Sequence, residues 1–282
     1  MLLITGATGN IGREVVRELG DRRADFRILV RDPGRAAALP ERAERVVADL
    51  EDAASLKAAF EGVDRLFLLT QGSGTGQAVN AIAAAQALGV GHIVHLSSFH
   101  AGFDPVPAMG RWHRDREDAI RASGIPATFL RCGGFMTNAL DWAASIREGG
   151  PVFDATGPGK VAPIAAADIA AVAVRALTED GHAGQIYTLT GDEAFTTVEM
   201  VGILAAVLGR DIRVQTAATP EEAVKARFPN GAPPALAAAL VETVEVARGD
   251  ITGLRTDTVA RLLGREPVTF REWCARNAAA FR

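Results

Sequence analysis

The chain has 282 residues, 48% hydrophobic and 23% charged, ordinary values for a globular protein with a substantial core. A formal net charge of −4 gives no global basic field that would draw it to nucleic acid or an anionic membrane, and no apolar run approaches the ~20 residues of a bilayer crossing. Two cysteines, Cys132 and Cys274, without Cys-x-x-Cys spacing, exclude a disulfide framework and a cysteine-based zinc site and suit a reducing compartment.

Met1-Leu-Leu-Ile-Thr5 carries no positive leader and runs directly into a glycine turn, so it reads as a first strand rather than a signal peptide, and a cytoplasmic location is expected. The first 135 residues alternate short apolar runs with longer amphipathic ones. Leu2–Thr5, Phe26–Val30, Arg45–Val47, Arg65–Leu69, His92–Leu96 and Ala127–Leu130 read as strands buried on both faces. Ile11–Leu19, Ala53–Phe60, Thr75–Leu88 and Met109–Ser123 read as the helices between them, several stopping at a glycine (Gly20, Gly62, Gly89, Gly124) suited to a left-handed cap.

After Cys132-Gly133-Gly134 the rhythm changes. Helices are expected at Asn138–Arg147, at Ala167–Leu177 entered at Asp168, and at Thr197–Leu208 ahead of Gly209, with a strand at Gln185–Leu189. Two more helices should flank Pro229-Asn230-Gly231-Ala232-Pro233-Pro234, read as part of a lid. The expected fold class is therefore α/β: a doubly wound Rossmann-type parallel sheet over residues 1–135, with a smaller C-terminal substrate-binding lobe over 136–282, partly interleaved with it.

The first motif with chemistry is Gly6-Ala7-Thr8-Gly9-Asn10-Ile11-Gly12, between the first strand and the first helix. Gly6 permits a tight turn, Gly9 a close approach to pyrophosphate and Gly12 close helix–sheet packing, while the helix N-terminus offers N–H groups to an anion. Thr8, Asn10 and Ile11 belong to the same cradle. The second strand bears on the cofactor: an acid at its end selects NAD, whereas an arginine suits the 2′-phosphate of NADP. Here the strand ends in Arg31, with Arg35 four residues on, which favours NADPH over NADH. Asp32 is expected to point elsewhere, and Arg31 could also be a solvated surface charge. Asp49 and Leu50 should lie at the adenine, although Asp49 reads equally as a helix N-cap. Leu69 and Thr70 should border the nicotinamide ribose, and the run Gly72-Ser73-Gly74-Thr75-Gly76 reads as a mobile loop.

Together these residues resemble the NmrA-like group of atypical short-chain dehydrogenase/reductases, whose members include quinone oxidoreductases, triphenylmethane reductases and redox-sensing regulators. The resemblance rests on the glycine motif, Val30-Arg31-Asp32, Ala48-Asp49-Leu50, His95-Leu96-Ser97-Ser98, Gly124-Ile125-Pro126-Ala127-Thr128-Phe129-Leu130-Arg131, Phe135-Met136-Thr137-Asn138 and Gln185–Gly191, and so covers nearly the whole chain. One departure matters. Orthodox members use a Tyr-x-x-x-Lys pair, in which lysine lowers the tyrosine pKa for proton donation. The corresponding helix here reads Gly110-Arg111-Trp112-His113-Arg114-Asp115-Arg116-Glu117, and the one tyrosine, Tyr187, lies on a late apolar strand where packing is expected.

The resemblance implies that a proton source other than tyrosine lies near Ser97, Ser98, His100 or His113. His113 stands where the quinone oxidoreductase group often carries histidine, and its ordinary pKa suits proton donation, though a ribose or backbone hydrogen bond is an equal reading. Ser97 is a cofactor contact and a second catalytic candidate, against the stronger reading that Ser97 and Ser98 line the pocket or end the strand. Ser98, Phe99, His100, Trp112, Phe135 and Met136 form the expected substrate wall, with Trp142 beside them, against the alternative that these aromatics are core and His100 an exposed loop residue. Asp168 reads as an N-cap, and His92 and His95 are not spaced as a metal pair, so no metal is expected. The expected activity is reduction of a flat conjugated acceptor (a quinone, aromatic ketone or imine) by a monomer or homodimer; the alternative is a non-catalytic NAD(P)H-sensing regulator acting through a protein partner.

Overall fold

In the computed structural model, which describes residues 1–228 and 230–282, the chain order is β1 (Leu2–Ile4), α1 (Asn10–Asp21), β2 (Phe26–Val30), β3 (Glu44–Val47), α2 (Leu56–Phe60), β4 (Arg65–Leu68), α3 (Gly76–Leu88), β5 (His92–Ser98), α4 (Ala108–Ala122), β6 (Ala127–Cys132), α5 (Ala143–Arg147), β7 (Val152–Asp154), α6 (Ala166–Thr178), β8 (Ile186–Leu189), α7 (Thr197–Leu208), β9 (Val214–Thr216), α8 (Pro220–Arg227), α9 (Pro234–Arg248), α10 (Thr258–Leu263) and α11 (Phe270–Asn277). Pro229, the first residue of the expected lid segment, lies outside the described residues.

Two compact units result. The first contains Met1–Gly102, Gly110–Cys132 and Ala166–Thr188; the second contains Phe103–Met109, Gly133–Ala165 and Leu189–Arg282. The chain thus returns to the first unit after residue 165: α6 and most of β8, which lie beyond the boundary read at residue 135, belong with the sheet.

In the first unit the seven strands run in the order β3-β2-β1-β4-β5-β6-β8, and the five pairings from β3 to β6 are parallel. Their sequences explain this. Leu3, Ile4, Leu66, Phe67, Leu68, Ile93 and Val94 are completely buried, as strands covered by helices on both faces must be. At the edge, β3 is largely exposed, and its Glu44 and Arg45 keep that edge polar. On one face, β1, β4, β5 and β6 pack with α2 and α3 through Leu3, Leu66, Ile93, Phe60, Ile82 and Phe129; α1 packs against α6.

The second unit has its own core, built by Met136, Ile146, Val152, Met200, Leu204, Phe270, Trp273 and Phe281. Phe270 and Trp273 stack with centroids 5.8 Å apart. A small parallel sheet pairs β7 with β9. It is secured by the buried Asp154, whose Oδ1 accepts from the N–H groups of Thr156 (2.9 Å) and Gly157 (3.1 Å), while Oδ2 accepts from the Thr216 hydroxyl (3.1 Å). Helices α7 and α11 start on reciprocal capping boxes, Thr196 with Glu199 and Thr269 with Glu272.

Several expected elements differ in the structure. Strands β5 and β6 run two residues further than their apolar runs, because Ser97–Arg131 and Ser98–Cys132 remain paired. Residues 53–60 begin with a 3₁₀ turn, and Met136–Trp142 is 3₁₀ rather than α-helix. Helix α1 continues through Gly20, and the left-handed residue that follows is Arg23. Helix α6 starts at Ala166, so Asp168 is a buried residue of its first turn and not its N-cap. Strands β7 and β9 are three residues each, too short for alternation to be legible. No helix among the described residues is long and apolar enough to cross a membrane.

The tightest constraint in the first unit lies where β1 gives way to α1. Gly6 has φ +65°, and a Cβ on Gly12 would stand 2.1 Å from the Gly6 carbonyl oxygen. Gly12→Ala is therefore expected to push α1 away from the strand and to destabilise the protein by about 1–3 kcal/mol; a urea midpoint equal to that of the parent protein would contradict this.

Candidate functional site

A cleft opens at the carboxyl ends of β1, β2 and β4, lined by Thr5, Gly6, Ala7, Thr8, Gly9, Leu29, Val30, Arg31, Arg35, Asp49, Leu50, Leu69, Gln71 and Gln77. The Gly9 N–H donates to the Gly6 carbonyl at 3.0 Å, closing the turn. Helix α1 then starts without a side-chain cap and without an acidic residue in its first turn, so its dipole and first N–H groups face the cleft uncompensated. Thr5 ties this turn to β4, its hydroxyl accepting from the Leu69 N–H at 2.8 Å.

The two arginines expected to read a 2′-phosphate share this cleft. Asp32 does point elsewhere: its carboxylate accepts from the Gly34 N–H at 2.9 Å and caps the short 3₁₀ turn Pro33–Ala36, which carries Arg35 to the same wall as Arg31. Among the described residues neither guanidinium is engaged by an ion pair or hydrogen bond, and both side chains are exposed. Asp49 lines the cleft, and its Oδ1 accepts from the Glu51 N–H at 3.0 Å. The N-cap role falls instead to Asp52, which accepts from the Ala54 N–H.

Of the remaining cofactor residues named from the sequence, Asn10 is exposed at the start of α1, whereas Ile11 is buried in the core. Thr70 ends the β4 segment with a buried hydroxyl that has no partner among the described residues. One lining residue, Gln77, was not legible in the sequence. Gln77 accepts from the Gln71 N–H at 2.7 Å and donates to Glu51 at 2.9 Å, an arrangement only the α3 start creates. The glycine turn, the uncapped helix, the orphaned Thr70 hydroxyl and the two arginines suit a phosphorylated dinucleotide.

The glycine-rich loop after β4 is not left loose. Arg116 of α4 is only 2% exposed, and its guanidinium donates to the carbonyls of Gly74 (3.0 Å), Gln71 (3.4 Å) and Gly72. Burial lowers its pKa from the ordinary arginine range, partly offset by Asp115. A helical arginine usually signals solvent, so pattern alone gave no hint of this clamp.

Helix α4 also carries the acid/base candidates. Its start lies against the His100 loop, since a Cβ on Gly110 would stand 2.5 Å from the His100 carbonyl oxygen. His113 is held to a pKa of about 4 by burial first and then by Arg116, with Glu117 opposing. His100 is likewise lowered to about 4 by burial; its Nδ1 lies 3.3 Å from the Ser98 hydroxyl, and its ring packs 4.4 Å from that of Phe99. His95 is completely buried, donates through Nδ1 to the Leu68 carbonyl at 3.0 Å, and has a pKa of about 3, chiefly from burial. All three are neutral at neutral pH. The ordinary imidazole pKa assumed for His113 is thus corrected by its surroundings. Ser97 is buried, and its hydroxyl donates to Glu117 at 2.6 Å rather than lying free.

The rest of the expected substrate wall divides. Ser98 and Trp112 are half-buried in the first unit, and Phe99 is buried. Phe135 is half-buried in the second unit, bridged to Ile164. Met136 is a core residue there, 2% exposed, and Trp142 packs against the same core. For Met136 the packing alternative is what the structure shows. Tyr187 is a packing residue too, buried with its hydroxyl 2.8 Å from His182 Nδ1. His92 is bound to the Thr128 hydroxyl at 2.9 Å, and no group of three or more His, Cys, Asp or Glu among the described residues is placed to hold a metal.

Comparison with known proteins gives a consistent result. A family described as NAD(P)H-binding matches residues 6–180. An NAD(P)H azoreductase of Xenophilus azovorans is 39% identical over 284 residues, covering 100% of this chain and 99% of that protein. A (4-alkanoyl-5-oxo-2,5-dihydrofuran-3-yl)methyl phosphate reductase of Streptomyces griseus is 39% identical over 282 residues, covering 100% of this chain and 99% of that protein. The crystal structure of an NADPH-dependent quinone oxidoreductase of Escherichia coli in complex with NADPH superposes with a TM-score of 0.85 at 33% identity, covering 98% of this chain and 99% of that one.

Four buried or half-buried histidines make stability depend on pH with a definite sign. His92, His95, His100 and His113 titrate at about 4, 3, 4 and 4 in the folded chain, below the ordinary value of 6.5 that applies when it is unfolded. Their contribution is therefore present above pH 6.5 and lost as the pH falls toward 4. Unfolding near pH 5 is expected to take up roughly two to four protons, readable from the slope of the denaturant midpoint with pH. A flat stability curve from pH 7 to about 5 would be incompatible with these imidazoles being neutral in the folded chain.

Proposed function

Because this chain belongs to the NAD(P)H-binding family, within its NmrA-like atypical short-chain dehydrogenase/reductase group, we propose that it is an NADPH-dependent reductase of flat, conjugated acceptors. The acceptor class comprises quinones, aromatic ketones and imines. Its full-length relatives include reductases named for azo compounds and quinones, which supports an oxidoreductase that uses NAD(P)H.

NADPH, when bound, supplies the hydride. The cleft residues bind and orient it. Gly6, Gly9 and the α1 N-terminus receive the pyrophosphate, Arg31 and Arg35 pair with the 2′-phosphate, Asp49 and Leu50 meet the adenine, and Leu69 and Thr70 border the nicotinamide ribose. Arg116 keeps the Gln71–Gly74 loop shaped around that end.

One feature of the site supports this acceptor class: neither acid/base candidate has a proton to release near neutrality. Ser97 has its proton on Glu117, and burial keeps His113 in its neutral form. A simple aliphatic ketone would leave a localised alkoxide and needs a strong proton donor in the transition state. A quinone or conjugated imine spreads the incoming electron pair over its ring system. A neutral imidazole N–H from His113 then suffices to stabilise the developing anion by hydrogen bonding, and solvent delivers the proton afterwards. His113 in this role is an electrophile, not a general acid. The alternative, a regulator that binds the dinucleotide without turning it over, draws on the missing Tyr-x-x-x-Lys pair.

The test is NADPH oxidation followed by absorbance against quinones, aromatic ketones and imines. Turnover is expected with the conjugated acceptors, and kcat should be level between about pH 5.5 and 8, because the His113 imidazole is neutral throughout. His113→Ala should lower kcat by about 10- to 100-fold with little change in NADPH affinity. A rate that falls away on a pKa near 6.5 would show His113 acting as an imidazolium acid. Tight NADPH binding with no oxidation across the panel would establish the regulatory alternative. In parallel, Arg31→Ala should raise the KM for NADPH about 10-fold and leave that for NADH within about 2-fold; equal effects on both would remove Arg31 from the 2′-phosphate site.

A further inference from the structure

Strands β5 and β6 end side by side, with Ser97 opposite Arg131 and Ser98 opposite Cys132. Against these ends, α4 presents a carboxylate with no solvent exposure, Glu117. It accepts four hydrogen bonds: from the Ser97 hydroxyl at 2.6 Å, from Arg131 Nε at 2.9 Å and Nη2 at 2.7 Å, and from Arg121 Nη2 at 2.8 Å. Burial alone would raise its pKa, and the bonds from Arg131, Ser97 and Arg121 outweigh that and bring it below the ordinary value. The carboxylate is ionised and its lone-pair directions are filled, so it has no proton to give and no position left for a ligand.

Its influence reaches a ligand through Ser97. A serine hydroxyl has one proton, and here that proton is committed to Glu117 Oε1. Toward anything else, Ser97 Oγ offers lone pairs only. The residue is next to last in β5, which with β4 and β6 forms the second mononucleotide half of the sheet, and ligands of open α/β sheets bind outside the carboxyl ends of the strands.

We propose that Glu117 is a positioning residue that fixes the Ser97 hydroxyl as an acceptor for a donor group of the nicotinamide nucleoside, either a ribose hydroxyl or the carboxamide N–H. The proposal rests on the dinucleotide binding of the reductase reading. Arg131 contributes by occupying both carboxylate oxygens and so fixing the plane of the Glu117 carboxylate. In Glu117→Gln the amide oxygen takes the Oε2 position, where Arg131 Nη2 and Arg121 Nη2 both donate, which leaves the NH₂ facing Ser97 and turns the serine proton outward.

The experiment measures binding of two probes, NADPH and 2′,5′-ADP, to Ser97→Ala, Glu117→Gln and the double variant. The second probe retains the adenosine half and its 2′-phosphate but lacks the nicotinamide nucleoside. Both single variants are expected to weaken NADPH about 5- to 30-fold and to leave 2′,5′-ADP within about 2-fold. The double variant should lose no more than Glu117→Gln alone, since both act on one hydrogen bond. A purely mechanical role for Glu117, as a brace between α4 and β6, would weaken both probes alike or neither. Either of those results, or additive losses, overturns the proposal. Arg131→Lys, which cannot span both oxygens, is the second variant should Glu117→Gln not fold, and the same selective loss is expected of it. Since no acceptor is present, failure here leaves the reductase reading standing. Binding as proposed without any NADPH oxidation would instead fail that reading alone.

Discussion

Where β1 turns into α1, two glycines meet so closely that no side chain fits between them. The Gly6 carbonyl lies where a Cβ of Gly12 would be, and Gly6 itself takes a left-handed backbone conformation. This contact decides how near the helix N-terminus stands to the strand end, and therefore where its uncapped N–H groups point. The rest of the cleft is arranged from there. Thr5 fastens the turn to β4, β2 brings Arg31 to the rim, and the Asp32 cap curls the chain so that Arg35 follows. One steric constraint thus sets where the helix N-terminus stands, and the two guanidinium groups of the cleft are placed relative to it.

Helix α4 supplies the second organising element, through charges that point inward. Arg116 and Glu117 are adjacent and both are buried, yet each is satisfied by different partners: three loop carbonyls for the guanidinium, two guanidinium groups and a serine for the carboxylate. A buried charge without partners costs several kcal/mol, so the two networks hold the loop after β4 and the ends of β5 and β6 in defined positions. They also act on His113 with opposite sign, Arg116 lowering its pKa and Glu117 raising it, while burial dominates and leaves the ring neutral.

That neutrality links the fold to the proposed chemistry. The Tyr-x-x-x-Lys arrangement places a cation beside the proton donor; here the residue four places after His113 is a carboxylate already engaged elsewhere. A site without a ready proton favours acceptors that can carry an electron pair in a conjugated system.

Local signals were sufficient for much of this protein. Periodicity marked the buried strands, the glycine spacing marked the turn, and Arg31 at the end of β2 marked the charged rim of the cleft, because each depends on residues near in sequence. Other features depend on contacts between distant segments. The Arg116 clamp joins residues more than forty positions apart, and the Ser97–Glu117–Arg131 cluster joins two strands and a helix. Charged residues on a helix give no sign in the sequence that they face inward, so the pattern assigned them to solvent. For the same reason His113 carried its ordinary pKa until its burial was known, and Met136 read as pocket until it was found in the core of the second unit. The sequence by itself determined the sheet, the dinucleotide turn and the arginines at its rim. Only the tertiary structure decided which protons are held and where, since desolvation and long-range hydrogen bonds exist only once the chain has folded.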